Sequence, residues 1–217
     1  MKEITKMSRL TGCLEKCFRL VNNDLFNNEL PTPVITCVPT AKAYAHITVY
    51  PVWDTKHGSR YELNISSAYL LRPIENVVAS MVHEASHLLN IIHEVQDTSN
   101  NGVYHNKQFK RTAEEHGLIV DHDARYGWCI TTPGDKVLEF VLDHIDELGE
   151  IEINRNIPQN QLIAIGTHNG NASITPTATP KKSSYRRWHC PKCNAIVRST
   201  STVNVICGDC MVHFVEG

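Results

Sequence analysis

Apolar and polar residues alternate along this chain at two different periods, and the switches between them mark out its elements. Counting 100° per residue from Ile74, the side chains of Val77, Val78, Met81, Ala85, Leu88 and Ile92 fall in one narrow stripe. They predict an amphipathic helix of about five turns, opened by Pro73 with Glu75 in its first turn. The same period places Leu10, Leu14, Cys17, Phe18 and Val21 on one face of a helix over residues 2–22. It also predicts a helix over Lys136–Leu148, with Val137, Phe140, Val141, Ile145 and Leu148 inward. Asn22 to Pro33 is turn-rich, anchored by Leu25, Phe26 and Leu30. Val34–Val38, Tyr44–Trp53 and Arg60–Ile65 are rich in β-branched and aromatic residues and close enough for an antiparallel meander. Beyond Ile92 the pattern decays into a loop, Gln96–Gly102. A short helix follows over Lys107–Glu115, with Asn106 as N-cap and Gly117 just past its end. Arg125–Thr132, containing Tyr126, Gly127 and Trp128, reads as a turn feeding a short strand. Strands and helices in separate runs indicate an α+β fold.

Composition adds a division of the chain. At 217 residues there is room for one sizeable core and a small appendage, and 41% hydrophobic with 20% charged residues is ordinary for a globular protein. Residues 158–184 are rich in Asn, Thr, Ala, Pro and Gly, the composition of a partly disordered linker. The expected domains are therefore 1–157, the linker 158–184, and 185–217. Residues 181–217 carry a balance of +4 and the other 180 residues a balance of -6, so the two ends should meet different partners. Residues 1–12 hold no apolar signal segment and no run is long enough to span a membrane, so a soluble, cytoplasmic protein is expected.

Chemistry enters at Val82-His83-Glu84-Ala85-Ser86-His87. Residues four apart on a helix lie on the same face, so His83 and His87 can share one metal ion. Glu84, directly after the first histidine, completes the His-Glu-x-x-His pattern of zinc peptidases, in which the glutamate is the general base. Both histidines fall opposite the apolar stripe, towards a cleft. Catalytic zinc takes a third protein ligand, and several residues compete for that place. His93 gives a spacing that resembles the metzincin pattern, with Asn90 where those enzymes have glycine. Against it, Leu88, Leu89, Ile91 and Ile92 continue the helix, and the only later methionine is Met211, in the cysteine-rich tail. Glu114 and Glu115 are a further choice. His105 sits beside a helix start after a loop, free to reach back over the first helix. Cys13 and Cys17 have no further ligand nearby and read as buried or half-buried free thiols.

Several short motifs surround the histidine pair in a fixed order. Leu25-Phe26-x3-Leu30-Pro31 and Leu63-x-Ile65-Ser66 precede it; Asn101-Gly102-x-x-His105-x-x-x-Phe109 and Tyr126-Gly127-Trp128 follow. Together they resemble the SprT-like family of zinc metallopeptidases, which includes the Spartan proteases, across roughly residues 10–132 and again over the tail. The resemblance implies a small zincin-like protease domain with a short antiparallel sheet, His105 as third ligand, and protein substrates bound or crosslinked to DNA, hence a DNA-repair role. Residues 133–184 match no part of that pattern.

The tail carries Cys190-Pro191-Lys192-Cys193 and, after thirteen intervening residues, Cys207-Gly208-Asp209-Cys210. Paired CxxC motifs at this spacing are a structural-zinc signal, with Ala195–Ser199 and Val203–Ile206 as the strands of a zinc ribbon. Two zinc ions per chain are expected: a catalytic one on His83, His87 and His105, and a structural one on Cys190, Cys193, Cys207 and Cys210. Tyr185 and Trp188 beside Arg186 and Arg187 suit single-stranded DNA, through phosphate neutralisation and base stacking. The expected function is a zinc-dependent endopeptidase acting on DNA-associated proteins. Its rival is a non-catalytic zinc protein that binds nucleic acid or a partner through the ribbon.

Overall fold

The computed structural model describes residues 6–40, 42–148, 151 and 186–216. These fall into two compact units, one within residues 1–179 and one within 180–217. The linker expected over 158–184, with Tyr185, lies outside the described residues.

In the first unit α1 (Met7–Leu25) buries the predicted face, Leu10, Leu14, Cys17, Phe18 and Val21. The turn after it is closed by Asn22, whose amide donates to the Leu30 carbonyl at 3.0 Å while its Oδ1 accepts from the Leu30 N–H at 3.1 Å. Short strands follow: β1 (Val34–Thr36), β2 (Ala45–Ile47), β3 (Trp53–Thr55), β4 (Gly58–Arg60) and β5 (Glu62–Ile65). They do not form the expected antiparallel meander. The sheet order is β1-β5-β2, with β1 parallel and β2 antiparallel to β5, while β3 and β4 pair as a separate hairpin. The reason lies in β5, whose Leu63, Asn64 and Ile65 are fully buried. Such a strand belongs at the centre of a sheet with a neighbour on each side.

The helix α2 (Ile74–Ile92) forms where predicted and is the axis of the unit, packing against α1, β2 and β5. Its apolar stripe is buried, but so are Val82, Leu89 and the polar Glu75, Ser80, Glu84, Ser86 and Asn90. The helix is covered around most of its circumference rather than on one face. Beyond it come β6 (Thr98–Ser99), β7 (Tyr104–His105), α3 (Lys107–Glu115), β8 (Leu118–Asp123) and β9 (Gly127–Pro133), the strands forming a second sheet in the order β6-β7-β9-β8. Asn106 caps α3 as expected, its side chain accepting from the N–H groups of Gln108 and Phe109. The helix predicted over 136–148 is two, α4 (Asp135–Asp143) and α5 (Ile145–Leu148), parted at His144, which bonds Asp24 of α1 at 2.6 Å.

The second unit is a small antiparallel sheet in the order β11-β10-β12, built from β10 (Arg186–His189), β11 (Ile196–Ser199) and β12 (Val215–Glu216). Val203–Ile206 is not the expected strand; it contributes a single bridge, Ile206 to His213. No helix among the described residues is long and apolar enough to cross a membrane.

Candidate metal centres

His83 and His87 stand one turn apart on α2, and β7 brings His105 over them. The ring centroids are 5.0 Å apart for His83 and His87, 5.2 Å for His83 and His105, and 4.9 Å for His87 and His105. One nitrogen from each lies within 4.8 Å of the other two, so the group could hold a metal ion. His93 lies elsewhere: it caps the C-terminus of α2, half exposed, with Nε2 3.5 Å from Glu29. Glu114 and Glu115 are also apart, paired with Lys110 and Arg111 on the exposed side of α3.

The outer nitrogens decide which way the inner ones face. His87 Nδ1 lies 2.7 Å from Asp97 Oδ2 and donates to it, which leaves the Nε2 lone pair pointing into the site. Asp97 is buried and also accepts from Asn90 Nδ2 at 2.9 Å, and Asn90 Oδ1 accepts from Thr112 Oγ1 at 2.8 Å. His83 Nδ1 is 3.1 Å from Thr131 Oγ1 of β9, a contact that fixes the orientation of its ring. Burial drives the His83 imidazole well below its usual range, with His87 and His105 adding to the effect. Burial likewise lowers His105 to about 4, helped by His87 and opposed by the Tyr126 carbonyl.

The imidazoles converge, and His87 Nε2 and His105 Nε2 are 3.1 Å apart. Two lone pairs at that distance repel unless a cation or proton lies between them. Bonds of about 2.0–2.1 Å at tetrahedral angles would place zinc-ligand nitrogens roughly 3.3 Å apart, so the donor set fits zinc. Glu84 adjoins this group, 8% exposed. Burial raises its pKa above the usual carboxylate range, against the opposing pull of His87 and of the Ile47 backbone N–H that bonds it.

Two residues outside the motif build the floor and wall of the site. Phe109, fully buried at the first turns of α3, touches every imidazole, with ring centroids 4.5 Å from His83, 4.4 Å from His87 and 4.7 Å from His105. Gly127 opens β9 at φ +73, and β7 pairs with it so closely that a Cβ there would overlap the His105 carbonyl and meet the Tyr104 ring at 2.9 Å. A glycine is required on both counts. Sequence reasoning quoted Phe109 and Gly127 as motif residues without a role, and missed Asp97 and Thr131. Asp97 lies in a polar loop and Thr131 in a strand 48 residues from His83; no local pattern marks either.

In the second unit Cys190, Cys193, Cys207 and Cys210 also converge, with sulfurs within 4.8 Å of one another, and could hold a metal ion. The Cys190 N–H donates to the Ala195 carbonyl and the Cys207 N–H to the Val212 carbonyl, so each CxxC is folded into a tight turn. N–H groups of Cys193 and Lys192 draw the Cys190 thiol down to about 6, which favours the thiolate a metal needs. Cys13 is half-buried and Cys17 buried, as expected, and neither is in a disulfide.

Comparison of the chain with protein-family models, with curated proteins and with solved structures finds no match.

Proposed function

We propose that this protein is a zinc-dependent endopeptidase. The observation that carries the reading is the convergence of His83, His87 and His105 with Glu84 buried beside them. A purely structural histidine site has no need of a carboxylate next to the first ligand. His83, His87 and His105 would hold the zinc ion, and Cys190, Cys193, Cys207 and Cys210 a second one. When bound at the histidines, zinc supplies Lewis-acid polarisation of the scissile carbonyl and of water. Glu84 then has the protein's own part in the chemistry. Its carboxylate takes a proton from the attacking water and passes it to the leaving amine, a task matched by a pKa raised through burial. Asp97 and Thr131 orient the imidazoles from behind.

The resemblance to SprT-like peptidases extends the proposal to substrates associated with DNA. The ribbon supports that extension through Arg187 and Arg198, exposed and directly opposite each other on β10 and β11. Like charges in that position cost stability, and a phosphate between them relieves it.

Elemental analysis and casein cleavage test the proposal together. Metal-replete wild type should carry two zinc ions per chain and cut casein; Glu84→Gln should keep both ions and lose cleavage. Wild-type cleavage by Glu84→Gln would refute the mechanism. Two bound zinc ions with no cleavage under any condition would favour the non-catalytic reading. Arg187→Ala combined with Arg198→Ala should weaken binding of single-stranded DNA and flatten its salt dependence, leaving peptide cleavage intact.

A further inference from the structure

The segment that follows β2 is unusual for a surface. Val49, Tyr50, Pro51, Val52 and Trp53 are consecutive and all exposed, Val49 by 68%, Tyr50 by 66%, Val52 by 47% and Trp53 by 42%. Isolated exposed apolar residues are common, but five in a row marks an interaction surface. The segment is also held in place. Trp53 Nε1 donates to Glu62 Oε2 at 2.8 Å, the Val52 N–H donates to the Arg60 carbonyl at 2.9 Å, and the hairpin of β3 and β4 closes behind it. Such an arm loses little freedom on binding.

Its place in the fold says what it would bind. β2 is an edge of its sheet. Tyr44, His46 and Thr48 direct their backbone groups to β5, so the backbone groups of Ala45 and Ile47 point away from it, and the Ile47 N–H meets Glu84. Val49 is two residues further on, at most about 7 Å along the chain from Ile47. The apolar arm thus directly follows, through a bend at Val49 and Tyr50, the strand that borders Glu84. The charges around it balance, Asp54 and Glu62 against Lys56 and Arg60, so a polyanion finds no net attraction there. From this continuity and neutrality we infer that Val49–Trp53 is a docking arm for apolar side chains of an extended, unfolded polypeptide. A folded protein hides such side chains, so the arm selects unfolded chains as the substrate class. The inference rests on the endopeptidase reading for its purpose, but binding can be measured without cleavage.

The test uses the full chain carrying Glu84→Gln, so that bound polypeptide stays intact, with and without the triple substitution Val49→Ser, Tyr50→Ser, Val52→Ser. These side chains are exposed and Trp53 is left as the anchor, so the fold should persist, checked by circular dichroism and melting temperature. Fluorescently labelled lactalbumin, reduced and carboxymethylated so that it stays unfolded, should bind the parent and lose about tenfold or more in affinity with the triple variant. Native lactalbumin should bind neither. Equal binding of unfolded lactalbumin by parent and variant would overturn the inference, whether or not the wild type cuts casein. So would loss of affinity confined to a single-stranded oligo-dT or to phosphatidylcholine vesicles, which would assign the arm to nucleic acid or to a membrane surface. An absence of casein cleavage by wild type, with the lactalbumin difference intact, would defeat the endopeptidase reading and leave the docking arm standing.

Discussion

Replacing Gly127 by alanine perturbs the histidine site without touching a ligand. At φ +73 any L side chain is strained, at a cost of about 1 kcal/mol or somewhat more. The new methyl would also overlap the His105 backbone carbonyl and press on the Tyr104 ring from 2.9 Å. Neither neighbour is the loose end of a flexible side chain. The carbonyl is backbone, fixed by the His105 N–H bond to Tyr126 at 2.9 Å and by the start of α3 two residues later. Relief requires β7 to move away from β9, which adds roughly 1–3 kcal/mol for an overpacked contact. A loss of about 2–4 kcal/mol in a unit of this size corresponds to a fall of about 10 °C in melting temperature. The larger effect should be on metal. His105 would be carried out of register with His83 and His87, and a site held to within about 0.5 Å tolerates little of that. Affinity at the histidines should drop about 100-fold or more, with the cysteine site unchanged. Cobalt substitution separates the two, because only thiolate ligands give intense near-ultraviolet charge transfer. Gly127→Ala that folds and takes up cobalt at the histidines as tightly as wild type would refute the reasoning.

Other outcomes follow from the same geometry. His105→Ala should lose metal from the histidine site while His93→Ala keeps it, since His93 lies at the end of α2 beside Glu29; the reverse pattern, read by elemental analysis, would exclude His105 as the third ligand. Asp97→Ala frees the His87 ring and strands its Nδ1–H and the Asn90 amide, so metal affinity should fall about 10–100-fold in chelator competition. The Asp24 carboxylate is held below its usual range, first by its hydrogen bond to His144. A carboxylate lowered in the folded state stabilises above its unfolded pKa and loses that contribution as pH falls through the folded value. Asp24→Asn should therefore lower melting temperature modestly at pH 6–7 and leave it unchanged in acid strong enough to protonate the folded-state carboxylate; a difference that persists undiminished in acid would show that the pair's ionisation is not the cause.

Much of this arrangement was legible from residues alone, and the boundary is physical. A helix with a clear 3.6-residue stripe fixes both its own course and the phase of its side chains, so His83, Glu84 and His87 could be placed before any fold was known. Asn106 and Gly117 bracket α3 through local hydrogen-bonding and backbone chemistry, and they too are readable. Strand order is not local. Whether β1 runs parallel or antiparallel to β5 depends on which strand must be buried, and β3 with β4 interrupts the chain without changing its strand-like composition. β8 went unpredicted because Leu118-Ile119-Val120 is a short apolar run ending in Asp121-His122-Asp123, which reads as a turn. Asp97 and Thr131 acquire their roles only through contacts with His87 and His83 that the fold creates.

The Phe109 ring lies under all the imidazoles and is at the same time wholly inside the core. Metal occupancy and global unfolding are therefore linked, because the unfolded chain has no such platform and cannot assemble the ligands. Free metal at a hundred times its dissociation constant would add about 2.7 kcal/mol to the unfolding free energy of the first unit. The melting curve of that unit thus becomes a titration of its histidines, reporting metal binding in the absence of any substrate.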